Sequence, residues 1–472
     1  MLVVLLAMHR RALVDVGESG VWVSLREGSK QICGISRASD EPLHKALNRL
    51  ELSLGKKSSH PAKLLALDES GSQVDGSLRN DEAWRRIAWL SEFEVVPDAP
   101  RLDGASCYGE AIVGVPLVAT ATARHDGRVR FVWFADGEVG EGSLFTPREE
   151  HEGLSLRVEA RLVDPDAALS EDESRRFVEC GRVSRYRPAA WRDMPKLAAG
   201  TLRVCSYNLL ADKFGRRTPG CPPATRRAPV ALGEVLRLNP DVLCLQEVDA
   251  VLFDRFWRPQ LEAAGYECVF VAKKNNDEGV ATCARGRVVE SRSVDLSVAS
   301  TRVGTVGLVT VVRSDADLVV VVGNTHLYYD GDATALRCVQ LVRLLEAVDE
   351  LAPPRVPLVV AGDLNAFPQS AAIELATTGS VSSTHSDFLG FNTMVPPLVE
   401  SPVGPLASAY DLSGDPQPTH RVNGFVATLD YILYANLHLR GVLPLPPLTE
   451  VIPNSDFPSD HLAIVADFTP NK

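Results

Sequence analysis

The chain predicts two parts: a mostly β amino-terminal half, and from residue 201 a layered α/β or α+β domain. Two textures of the sequence carry this. From 201 onward short apolar runs recur, each ending in polar residues: TLRVCSYN, DVLCLQEVD, LVVVVGNTHL, PLVVAGDLN, TLDYILY and SDHLAIVADF. Helical segments such as ATALRCVQLVRLLEAVDEL lie between some of them, and strands interleaved with helices argue a layered domain. Before residue 195 the pattern is alternation with period two, in GVWVSLRE, VPLVATATAR, RVRFVWFADG and LSLRVEARLV. One segment there, EPLHKALNRLELSL, instead places Leu43, Ala46, Leu47 and Leu50 on one helical face. The stretch RYRPAAWRDMPKLAAG, 185–200, has two prolines and a glycine and reads as the linker. The expected domains are therefore 1–195 and 196–472.

Composition narrows the function classes. At 472 residues, with 45% hydrophobic and 23% charged residues, the chain is of ordinary globular make-up and long enough for more than one core. A net charge of −12 argues against coating long duplex nucleic acid through a basic surface. A short single strand stays compatible, because a bound divalent ion supplies positive charge locally. Nine cysteines without a CxxC pair suggest free thiols in a reducing compartment. No run approaches the ~20 apolar residues needed to span a bilayer, so no membrane association is expected. In the opening MLVVLLAM the basic residues follow the apolar run, the wrong order for a secretory signal. The start is acid-free and contains arginine, as mitochondrial presequences do, until Asp15 and Glu18 cut it short.

The chemistry-bearing residues all lie after 201. In VPLVVAGDLNAFPQS a buried-looking strand ends in Asp363 and Asn365, which period two would put on one face. A carboxylate beside a carboxamide oxygen there suits a hard cation or a phosphate. The other apolar runs deliver Asn208, Glu247, His326, Asp430, and the pair Asp460 and His461. Each is, by itself, also an ordinary turn residue, exposed charge or core histidine. Together they form the set that cutting a phosphodiester requires: metal-binding carboxylates, phosphate-neutralising groups and a carboxylate-oriented imidazole. Glu247, after VLCLQ, is the expected primary magnesium ligand.

Charge marks a second feature. Lys213, Arg216, Arg217, Arg226 and Arg227 occur with no acidic residue between Asp212 and Glu234. Such a segment is either one side of a single-strand groove or a solvated loop. Lys273 and Lys274 form a second, weaker basic spot.

The series SYNLLAD, LCLQEVD, GNTHLYYD, VVAGDLNAFPQS, TLDYILY and PSDHLAIVADF resembles the endonuclease/exonuclease/phosphatase superfamily. The histidine of NTHL is similar to that of its branch of deadenylases, nocturnin and Angel proteins. VCSYNLLADKF, NNDEGVAT and PTHRVNGFVATLDYI resemble the 2',5'-phosphodiesterases of the phosphodiesterase 12 type within that branch. EPLHKALNRL, IVGVPLVATATA, RVRFVWF and LRVEARLVDP also resemble that type's accessory β domain, so the likeness is expected to run through nearly the whole chain.

The resemblance implies a four-layered α/β sandwich with its active site at one end of two packed sheets. It implies that Glu247, Asp363, Asn365 and Asp460 hold magnesium (Mg2+, with Mn2+ as the alternative ion). Asn208 and His326 would contact the phosphate, Asp430 would orient His461, and Asp363 or His461 would take the proton. Phe425, after Gly424, would stack the terminal adenine; Arg216 and Arg217 are strand-tracking candidates by the charge of their loop, not by the resemblance. The implied activity is release of AMP from 2',5'-linked oligoadenylates and single-stranded 3',5' poly(A) RNA, in the mitochondrial matrix. The alternatives are a purely 3',5' messenger-RNA deadenylase of the cytoplasm and a phosphatase of NADPH. A pseudo-enzyme would have lost a metal ligand, and here none is missing. No obligate protein partner is evident.

Overall fold

A computed structural model of the chain describes residues 10–471 apart from 18–19, 28–29, 57–62, 164, 166–168, 186–191, 193, 196–197, 199, 299–303, 315–316, 332, 354 and 390–395. Most of the expected linker therefore lies outside the described residues. Contacts divide the chain into two compact units: Met1–Cys107, Ala119–Phe145 and Gly153–Val183 make one, and Tyr108–Val118, Thr146–Glu152 and Ser184–Lys472 the other. The boundary thus falls at 184, and two segments of the amino-terminal half belong to the second unit. The reason is visible in their bonding: Gly109 N donates to Thr225 O at 2.9 Å, and Ile112 and Val115 pack on Val230 and Phe457.

The first unit is mostly β, with sheets of six, four and three strands. Its helix Leu43–Gly55 buries Leu43, Ala46, Leu50 and Leu54 against Val21, Val23 and Leu25. Leu47 is only partly buried at the edge of that cluster.

The second unit has two six-stranded sheets. Its elements in chain order are β1 (Leu202–Asn208), α1 (Ala224–Leu238), β2 (Val242–Asp249), β3 (Tyr266–Ala272), β4 (Glu278–Arg285), β5 (Arg287–Asp295), β6 (Val306–Arg313), β7 (Val319–His326), α2 (Thr334–Leu351), β8 (Leu358–Asp363), α3 (Ala371–Thr378), β9 (Asp430–Ala435), β10 (Leu437–Val442) and β11 (Ile464–Pro470). One sheet runs β3-β4-β2-β1-β11-β10, the other β5-β6-β7-β8-β9 with the short strand Ala407–Ser408 at its edge.

Period two sorts each strand between two cores. Leu202, Val204, Val242 and Cys244 of the first sheet meet Val320, Val322, Val359, Ala361 and Ile432 of the second. Their neighbours point outward to helices: Cys205, Tyr207, Leu243 and Leu245 onto α1, and Val321, Leu358, Val360 and Leu433 onto α2 and α3. The result is helix, sheet, sheet, helix, the expected four layers.

Candidate active site

The face shared by the two sheets is apolar along most of its length and turns polar at one end. Following Leu202 and Val204, β1 places Ser206 and Asn208 there; β7 places Asn324 and His326 after Val320 and Val322. Parallel strands β1, β2, β7 and β8 finish at this end, where antiparallel β9 and β11 begin. Asp430 therefore opens β9, and Asp460 and His461 precede β11. Register lines up His326 with Asp363 and Asp363 with Asp430 across three strands. Gly362, at φ 146, permits this approach: a Cβ there would lie 2.0 Å from Thr325 O.

Asp363 is the hub. Asn208 Nδ2 donates to its Oδ2 at 2.9 Å and to Glu247 Oε1 at 3.2 Å, tying the two carboxylates together. His326 Nε2 and His461 Nε2 each lie 3.6 Å from the same Asp363 oxygen. Asn365 stands beside Asp363 through a left-handed turn at φ 46, its backbone N–H donating to Asp363 Oδ1 at 2.9 Å. His461 Nδ1 meets Asp430 Oδ2 at 2.8 Å, and Thr419 Oγ1 donates to that oxygen at 2.6 Å. Asp460 pairs with His420 at 3.4 Å, and the His420 and His461 rings sit 4.4 Å apart.

Burial turns these contacts into charge states. Burial, then the fields of Asp460 and Glu278, push Glu247 up to about 7, although Lys273 and the Ala211 N–H oppose this. Burial would lower His461, but Asp430 and Asp363 beside it raise it well above the ordinary histidine range. His326 is held well below that range by burial, then by Lys273 and His461. Burial would raise Asp460, but the His420 hydrogen bond and the His461 charge hold it below the usual carboxyl value.

The donor set suits a hard divalent ion. Glu247 and Asp363 are carboxylates crowded together, Asp363 buried and Glu247 partly so, with the Asn208 carboxamide between them and Asn365 next to Asp363. The raised Glu247 shows a charge that a cation would relieve. Close clusters among the described residues are Asp363, Asp430 and His461, then His420, Asp460 and His461, and a remote set of Asp15, Asp98 and His125. In the remote set, Arg101 and Arg124 already neutralise Asp15.

The site opens into a cleft of about 510 Å³ whose walls include Lys213, Arg217, Tyr329 and Phe425. The expected pair of arginines is split. Arg217 lines the cleft, while Arg216 is exposed and turned back onto Asp212 at 2.6 Å, one helical turn away. Of the other basic-loop residues, Arg226 pairs with Glu110, and Arg227 is buried on the carbonyls of Leu209, Leu210, Pro222 and Pro458. Lys273 is no surface charge either; it is buried against His326.

Sequence reasoning missed Thr419, His420, Glu278, Gln246 and Asn324. Gln246 Nε2 donates to Ser206 Oγ at 3.2 Å and to Asn324 Oδ1 at 2.9 Å, forming a polar layer beneath the site. Asn324 was accessible to the period-two rule, two residues before His326 on the same face.

Residues 205–461 match the profile of the Endonuclease/Exonuclease/phosphatase family, and the chain belongs to that family. Mouse 2',5'-phosphodiesterase 12 is 29% identical over 318 residues, which cover 56% of this chain and 51% of that protein. Nocturnin of Xenopus laevis is 29% identical over 309 residues, covering 58% of this chain and 73% of the relative. The crystal structure of ANGEL2, described as a 2',3'-cyclic phosphatase, shares the fold with a TM-score of 0.51 at 24% identity, over 57% of this chain and 95% of that one. The chain spans about half the length of the 2',5'-phosphodiesterase 12 proteins it matches. The expectation of a likeness through nearly the whole chain is corrected by this coverage. Alternating strands are a general solution for half-buried sheets, so the amino-terminal runs carry little family signal.

Proposed function

We propose that the chain is a magnesium-dependent phosphodiesterase and exoribonuclease that releases AMP from the 2' or 3' end of single-stranded oligoadenylate. The observation that carries this reading is the buried Asp363 Oδ2, met by Asn208 at 2.9 Å and by two imidazole nitrogens at 3.6 Å, at the floor of the cleft. Likeness to 2',5'-phosphodiesterase 12 supports the substrate class. Glu247 and Asp363, with Asn365 and Asp460 nearby, would hold magnesium, which supplies water activation and neutralises the phosphate oxygens. His461, kept protonated by Asp430 and Asp363, hydrogen-bonds a phosphate oxygen, which leaves Asp363 to accept the proton of the attacking water. Asn208, donating to both, holds Glu247 and Asp363 side by side. Phe425, at the mouth, stacks the terminal base. The compartment we propose, the mitochondrial matrix, rests on the family resemblance alone.

Matched 2',5' and 3',5' triadenylates, incubated with the protein and magnesium, should release AMP, and a chelator should stop the release. Products resolved by chromatography rank the two linkages. No AMP from either triadenylate in magnesium would overturn the reading.

A further inference from the structure

Lys273 follows β3 and is 8% exposed, an unusual place for a lysine. Its Nζ lies 3.2 Å from His326 Nδ1 and 3.0 Å from Glu278 Oε1. Glu278 is itself 1% exposed, and its Oε1 also accepts from Asn276 Nδ2 at 2.9 Å. An ammonium group has three donors and no acceptor, so at 3.2 Å the Nδ1 atom must accept. The ring proton of neutral His326 then sits on Nε2, the nitrogen 3.6 Å from Asp363 Oδ2. Without the ammonium nothing keeps Nδ1 bare, and Glu247 Oε1, 3.9 Å from Nδ1, competes for the ring proton with Asp363 Oδ2, 3.6 Å from Nε2.

We propose that Lys273, anchored by Glu278, is a positioning residue that locks His326 in the Nε2–H tautomer, so that this N–H points at the scissile phosphate beside Asp363. The inference rests on the phosphodiesterase reading for its catalytic consequence, and on the contacts of Lys273 alone for the tautomer.

Two measurements on the full chain test it. Nitrogen-15 NMR of histidine-labelled protein without substrate, with the His326 signal identified by its loss in His326→Gln, should show Nε2 protonated and Nδ1 bare. A wild-type ring protonated on Nδ1 would overturn the proposal, whatever the variants do. In steady-state cleavage of 2',5' triadenylate with magnesium, Lys273→Met should lower kcat roughly tenfold or more, as losing an aimed donor does, with KM almost unchanged. Glutamine carries its amide nitrogen near the place of Nε2 and needs no tautomer, so in the His326→Gln background Lys273→Met should cost less than about twofold. An equal loss in both backgrounds, or a loss confined to KM, would overturn the role. If Lys273→Met alone fails to fold, pairing it with Glu278→Gln removes the stranded carboxylate and restores the comparison. Absence of any wild-type cleavage would remove the phosphodiesterase reading while the NMR result still judged the tautomer.

Discussion

Glu247 adopts φ 51, a left-handed backbone that costs an ordinary residue roughly 1–3 kcal/mol. The strain has a geometric use. Gln246 faces the second sheet, so strict alternation would turn Glu247 toward the helices; the irregularity between Leu245 and Val248 swings it to the cleft instead. Asn365, at φ 46, reaches Asp363 by the same device. Phe425 follows another left-handed residue, Gly424 at φ 87, and is 47% exposed beside His420 and Phe367. At that exposure the ring is not packed in a core. Phe425→Ala should therefore leave the melting temperature within a degree or two while raising KM for oligoadenylate about five- to a hundredfold, the worth of one base stack. A large loss of thermal stability with unchanged adenine preference would contradict this.

The start of β9 and the turn before β11 bring Asp430 and His461 to 2.8 Å, with Thr419 fastening the same carboxylate oxygen. An imidazole held this way loses its orientation when the carboxylate goes. The double substitution Asp430→Asn with His461→Ala should thus cost little more in kcat than His461→Ala alone; additive losses in log rate would separate the two roles.

In the first unit, the short helix Glu171–Ser174 is pinned by Glu173, which takes both Arg26 Nη1 at 2.5 Å and Nη2 at 2.7 Å. Burial opposes its ionisation, but Arg26 and Ser170 outweigh it and bring Glu173 down to about 2 from the usual 4.5. A lowered carboxyl stabilises the fold above its unfolded value and stops doing so as pH falls toward its folded value. Glu173→Gln should accordingly cost about 1–2 kcal/mol at pH 7 after solvent screening. The gap should close as pH falls from 4.5 toward 2, as urea unfolding at both ends of that window would show.

A fragment cut at the expected boundary, 196–472, would keep every proposed catalytic residue but lose segments 108–118 and 146–152 of its own unit. Ile112 and Val115 would no longer cover Val230 and Phe457, and Tyr108 would leave the Phe256 ring, 5.6 Å away. Burying a large aliphatic side chain is worth about 1.5–3 kcal/mol. The fragment should melt at clearly lower temperature than the catalytic unit of the whole chain, or self-associate by size-exclusion, while its folded fraction still cleaves a 2',5' dinucleotide. A monomeric fragment with the full chain's melting temperature would show these segments to be dispensable.

How much of this was legible beforehand follows from the range of the interactions. Alternation along TLRVCSYN, LVVVVGNTHL and PLVVAGDLN already separates two faces, because side chains in a strand alternate whatever the partner strand is. It therefore revealed the strands, the layered class and the placement of Asn208, His326 and Asp363 at strand ends. The motifs revealed the family. Contacts between residues distant in the chain stayed hidden, Lys273 on His326 and His420 on Asp460, and so did two nearer ones, Thr419 on Asp430 and the turning of Arg216 onto Asp212 and away from the cleft. So did the membership of 108–118 in the catalytic unit. A basic run looks the same in sequence whether its charges face substrate, pair at the surface or cap buried carbonyls. Only packing separates those fates, because each depends on which desolvated partner the fold brings within about 3 Å.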